Sequence, residues 1–121
     1  MSKKIGVIDS GIGGTSLLFE LLERSFNADY FYLSDSKNVP YGGKSQDFML
    51  ERMELMLASL PELDACVIAC NTLTAQTIEK LREKAKFQIF GIEPYINYIN
   101  HRVNKTEKVA LIATVATAHS E

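Results

Sequence analysis

Short apolar runs alternate along this chain with stretches of helical periodicity. Residues 4–8, Lys4-Ile5-Gly6-Val7-Ile8, form a continuous β-branched run, the pattern of a strand buried on both faces. Asp9-Ser10-Gly11-Ile12-Gly13-Gly14 follows and reads as a tight turn that needs positive φ. Thr15 or Ser16 is placed to cap a helix through Leu17, Leu18, Leu21 and Leu22. A second strand is expected over residues 30–33, ending at Ser34-Asp35. A polar loop then runs to Lys44, and Ser45 can cap a helix whose apolar face carries Met49, Met53, Met56 and Leu57. Residues 65–69 read as a third strand, and Asn71-Thr72 opens a helix through Ile78 and Leu81. Residues 87–92 read as a fourth strand, stopped by Glu93-Pro94. A helix over 95–103 and a fifth strand over 109–113 complete the pattern.

Strand and helix in repeated alternation predict an α/β fold with a mainly parallel sheet flanked by helices. Ligands of such sheets bind beyond the carboxyl ends of the strands. Asp9-Ser10, Asp35, Cys70-Asn71-Thr72, Glu93 and Thr114 occupy those ends and should converge on one rim.

The 121 residues suit one domain, and 46% hydrophobic residues are enough to build a core. A net charge of −2 leaves no basic excess for a polyanion, which argues against nucleic acid as the partner. No apolar run reaches the roughly 18 residues of a membrane span, and Asp9 cuts short the apolar stretch after the N-terminal lysines. These features point to a cytoplasmic chain without a membrane partner.

The two cysteines, Cys66 and Cys70, cannot make a disulfide scaffold. Four strand residues hold them roughly 13 Å apart, beyond the reach of a disulfide. Neither forms a metal set with the two histidines, so no metal is expected. Cys66, mid-strand among small apolar neighbours, reads as a core residue. Cys70 stands where a strand ends and a helix begins, the setting that makes thiols reactive. The polar pair Asn71-Thr72 beside it can donate to a carboxylate. The glycine turn fails the dinucleotide fingerprint, because Ser16 stands where its third glycine belongs. It also fails as a P-loop. Its amides at a helix start still suit a carboxylate or phosphate. Asp9 is a turn former, or a charge that binds an ammonium group or orients a base. The methionine stripe reads as core packing.

Several of these segments together resemble glutamate racemases of the aspartate/glutamate racemase superfamily. Ile5-Gly6-Val7-Ile8-Asp9-Ser10-Gly11-Ile12-Gly13-Gly14 is similar to the family's opening. Val39-Pro40-Tyr41-Gly42-Gly43-Lys44-Ser45 and Ala69-Cys70-Asn71-Thr72 resemble its second and first-cysteine motifs. Gly91-Ile92-Glu93-Pro94 and Thr114-x-x-Thr117 resemble further landmarks. The resemblance implies one lobe of a two-lobed enzyme that racemises L-glutamate to D-glutamate for peptidoglycan without a cofactor. Two cysteines then work from opposite faces of the α-carbon, one as thiolate and one as thiol. By this resemblance Cys70 is one of the pair and Asp9 assists the thiol. Ser10, Tyr41, Gly42, Asn71 and Thr72 hold the substrate, with Thr114 and Thr117 as further contacts, and Glu93 is structural. Gly43, Leu73-Thr74 and Ala113 depart mildly from the family pattern.

The second cysteine motif, Gly-Cys-Thr-His, does not occur in these 121 residues. The resemblance therefore implies a first lobe over residues 1–97, lacking its C-terminal return segment, and the start of a second lobe over 98–121. On this reading the chain is an N-terminal piece with half of the acid–base pair, inactive alone. Alternatives are a racemase of aspartate or a related amino acid, and a one-lobe binding or interaction protein. Self-association is a further option, a homodimer with each chain supplying Cys70 to a shared site.

Overall fold

A computed structural model of the chain describes residues 1–24, 27–93, 102–104 and 106–119. Strand β1 spans Lys3–Asp9, helix α1 Thr15–Glu23 and strand β2 Ala28–Ser34. A 3-10 turn over Tyr41–Gly43 precedes α2, Gln46–Ala58. Strand β3 is Ala65–Ile68, α3 is Asn71–Lys84 and β4 is Gln88–Gly91. The short helix α4 covers Val115–Ala118.

The four strands form one sheet in the order β2-β1-β3-β4, and every pair is parallel. The α/β expectation holds. From β1 the chain steps to one side to form β2, then to the other side to form β3. The gap between the carboxyl ends of β1 and β3 is thus the point where the direction of winding reverses. Register keeps those ends level, with Ile8 opposite Ile68 and the Ala69 amide donating to the Ile8 carbonyl at 2.7 Å. Val7, Ile8, Cys66 and Ile68 are fully buried in the central strands. Edge strand β2 is half-buried along nearly its whole length.

Helix α2 begins as its sequence dictates, with the Ser45 hydroxyl accepting from the Phe48 amide at 3.2 Å. Met49, Met53 and Met56 are buried and join Leu73, Ile78 and Leu81 of α3 in the core. The methionine stripe is core packing, as its spacing predicted. Gly91 lets α3 lie close on β4: a Cβ there would sit 2.3 Å from Thr74 Cγ2.

Three local expectations are corrected. First, no glycine has positive φ. Gly14 is needed for closeness, since a Cβ there would lie 2.7 Å from Ala69 Cβ and 3.1 Å from Asp9 Cβ. Second, neither Thr15 nor Ser16 caps α1. Gly14 is its N-cap, and the two hydroxyls donate backwards to the carbonyls of Ile12 and Gly13. The helix has no side-chain cap, and the Asp9 carboxylate takes the amide of Gly14 itself. None of the α1 leucines is fully buried, and Phe19 and Leu22 are exposed. Third, residues 109–113 form no strand. Residues 111–114 lie beside the start of α3 rather than in the sheet, so no described strand pairs with them. The helix expected over 95–103 lies outside the described residues, except for Arg102 and Val103 in a turn. The lobe boundary near residue 97 lies outside them as well.

Candidate active site

The glycine turn is folded around its own aspartate. Asp9 Oδ1 accepts the Ser10 amide at 2.8 Å, and Oδ2 accepts the Gly14 amide at 2.7 Å. Asp9 itself is buried, so these donors supply what water cannot. The Gly11 carbonyl is gripped from β2 by the hydroxyls of Tyr32 and Ser34. Tyr32 also donates to Asp9 at 3.4 Å. Burial, with Asp9 adding to it, pushes the Tyr32 hydroxyl above its ordinary pKa, so it stays a donor. Ser10 is thereby fixed on the inner side of the turn, and its hydroxyl donates to Cys70 Sγ at 3.2 Å.

That contact spans the gap where the winding reverses, with Ser10 at the end of β1 and Cys70 just beyond β3. Cys70 is the N-cap residue of α3, a 14-residue helix. The helix start and the Ser10 proton both direct positive potential at the sulfur. Cys70 is half-buried, whereas Cys66 is wholly enclosed and burial pushes its thiol up to about 12. Both thiols are free.

Beside Cys70, three hydroxyls converge. Thr72 Oγ1 lies 2.9 Å from Thr114 Oγ1 and 3.4 Å from Thr117 Oγ1, and Thr114 donates to Thr117 at 3.0 Å. Thr114 caps α4, as its Oγ1 accepts the Thr117 amide. A cavity of about 330 Å³ opens here, with Cys70, Asn71, Thr72 and Thr114 on its polar side and Leu111 and Ile112 opposite. Two helix starts and a set of hydroxyls suit a carboxylate. Gly42 abuts Thr114, for a Cβ on Gly42 would come within 2.8 Å of the threonine side chain. Tyr41 is 3% exposed, and its hydroxyl donates to Asp35 rather than facing the cavity.

All nine residues singled out in the sequence therefore lie in one connected region. Cys70, Asn71, Thr72, Thr114 and Thr117 line the cavity, Ser10 touches Cys70, Gly42 backs Thr114, and Asp9 and Tyr41 act through neighbours. Sequence reasoning missed Tyr32, Ser34, Asn38 and Arg52, and left Asp35 without a role. Tyr32 and Ser34 share a strand face by their spacing, a legible signal. Arg52 carried none. A larger cavity of about 510 Å³, walled by Leu57, Leu60, Leu63, Leu81 and Phe87, lies at the opposite end of the sheet, with neither cysteine in its lining. Among the described residues no three His, Cys, Asp or Glu side chains group to hold a metal ion. No helix among them is long and apolar enough to cross a membrane.

No family model matches the chain. A glutamate racemase of Campylobacter curvus is 44% identical over 95 residues, covering 77% of this chain and 36% of that protein. Escherichia coli glutamate racemase, solved with L-glutamate and the activator UDP-MurNAc-ala, matches with a TM-score of 0.77 at 31% identity. The chain is similar to one portion of these glutamate racemases. The match to the E. coli enzyme covers 86% of this chain and 40% of that one. Glutamate racemase isoform RacE1 of Bacillus anthracis matches with a TM-score of 0.79 at 31% identity, over 98% of this chain and 45% of that one. The chain thus spans less than half the length of the glutamate racemases it matches.

Proposed function

We propose that this chain forms one wall of a glutamate racemase site and supplies one of its two acid–base groups, Cys70. The Ser10–Cys70 contact at the winding reversal, beside a hydroxyl-lined cavity, carries this reading. The relatives' names and the L-glutamate in the E. coli complex favour glutamate over aspartate. A substrate carboxylate sits against Thr72, Thr114, Thr117 and the start of α3, with Asn71 as a further donor. Tyr41 and Gly42 contribute main chain. The α-carbon then faces Cys70.

The thiolate of Cys70 removes the α-proton from one face, and the electron pair stays on the substrate as a carbanion. Inversion needs a proton from the opposite face, from a group beyond the described residues. The route is direct sulfur acid–base chemistry without a cofactor, and its product serves peptidoglycan synthesis in the cytoplasm. Asp9 orients Ser10, and Ser10 directs its proton at the sulfur. In domain terms, residues 1–97 form the first lobe and residues 98–121 begin the second.

A single sulfur addresses a single face. In deuterated water the chain should exchange the α-proton of one glutamate enantiomer while racemising negligibly, read by NMR and circular dichroism. Cys70→Ser should slow that exchange at least 100-fold, given the usual 10²–10⁴ weight of general acid–base catalysis. Robust turnover of L- to D-glutamate would overturn the need for a second group. Exchange that survives Cys70→Ser would remove Cys70 from the chemistry.

A further inference from the structure

Asp35 lies just past β2, and its backbone amide donates to the Asp9 carbonyl at 3.1 Å. It is therefore anchored to the same strand end that carries Ser10. Its carboxylate is buried and saturated with donors. Arg52 of α2 grips it with two bonds, Nε to Oδ2 at 2.7 Å and a terminal nitrogen to Oδ1 at 3.0 Å. Asn38 Nδ2 reaches both oxygens, at 2.9 and 3.0 Å, and the Tyr41 hydroxyl donates to Oδ2. A carboxylate offers about four lone-pair sites, so Asp35 has nothing left for a substrate. Its role is to hold.

What it holds is the turn Tyr41–Gly43, and behind that turn lies the cavity. Gly42 presses on Thr114, and Thr114 is hydrogen-bonded to Thr72, two residues from Cys70. We infer that Asp35 and Arg52 are positioning residues: their ion pair, buried on the Asp35 side and half-exposed at Arg52, latches the Tyr41–Gly43 turn against Thr114 and so sets the shape of the carboxylate pocket. A bidentate, planar pair suits this task because it fixes direction as well as distance. The pocket side of this inference rests on the proposed function; the latch itself does not.

The test compares the unaltered 121-residue chain with Arg52→Gln, Arg52→Lys and Tyr41→Phe. Hydrogen exchange follows the Asn38 and Lys44 amides, bonded to the Asp35 and Tyr41 carbonyls, and the Thr117 and Ala118 amides, bonded to Thr114. Arg52→Gln should speed exchange at least tenfold in both groups while β1 and β3 stay protected. Arg52→Lys should restore part of the protection. L-Glutamate affinity should fall about tenfold in Arg52→Gln and recover partly in Arg52→Lys, at temperatures where every variant is folded. Tyr41→Phe, which spares the ion pair, should loosen Lys44 and Thr117 without unfolding the chain. Loss of protection confined to residues 38–44 would overturn the coupling to Thr114. Uniform loss across β1 and β3 in all variants would reduce the pair to general stability and overturn the positioning role. If the unaltered chain binds no glutamate, the functional reading fails, yet the exchange comparison still decides the latch.

Discussion

At the scale of single residues, burial decides which ionisable groups act and which only hold. Cys66 and Cys70 differ by four positions, but one is enclosed by the central strands and the other opens onto a cavity. Asp35 shows the same logic for acids. Burial alone would raise its pKa, but hydrogen bonds from Arg52, Tyr41 and Asn38 outweigh that and lower it from 3.8 to about 2. A carboxyl depressed in the folded state stabilises the fold above its unfolded pKa and loses that contribution as pH falls through the folded one. Stability should therefore drop between about pH 4 and pH 2. In Asp35→Asn this step should vanish against a lower overall baseline. Urea denaturation across that range checks both effects, and an unchanged acid profile in Asp35→Asn would refute the assignment. Cys70 and its polar neighbours were readable because residue type and strand-end position coincided. Arg52 was not, because a lone arginine on a helix looks the same whether it meets solvent or a buried acid 17 positions away.

At the scale of elements, periodicity was most informative where both neighbours of an element were fixed. Helix α2 starts at its serine cap and buries the methionine face, as its spacing implied. Met53 is fully buried, so Met53→Ala should cost about 2–5 kcal/mol through lost burial and a residual cavity. Thermal or denaturant unfolding measures this. A loss under 1 kcal/mol would mean that α2 packs loosely. Helix α1 is the counter-example. None of its leucines is fully buried, and its N-cap Gly14 is held through its amide by Asp9 while neither Thr15 nor Ser16 caps it. A hydrogen bond from Gly14 to a carboxylate five positions upstream depends on how the turn folds back, which local pattern does not contain. Residues 109–113 make the same point for strands. Their apolar, β-branched character is real, but a strand exists only when an adjacent backbone completes its ladder.

At the scale of the whole molecule, the apolar residues of that segment remain uncovered. Ile112 is 98% exposed, and Val109, Leu111 and Val115 are more than half exposed. Leu111 and Ile112 line the cavity beside Cys70. Contiguous apolar surface favours association, so the chain should self-associate with rising concentration. Ile112→Lys combined with Val115→Lys should shift it towards monomer in sedimentation velocity. A chain that stays monomeric across the accessible concentration range would refute this. Alternation of apolar runs and helical segments by itself determined the α/β class, the parallel sheet and the rim on which polar residues gather, because period and strand-end position are local properties of the chain. Strand order, the Ser10–Cys70 contact across β1 and β3, the Asp35–Arg52 latch and the unpaired state of residues 109–113 were decided by tertiary structure alone. Each depends on which distant segments become neighbours, and that follows from packing the whole core rather than from any stretch within it.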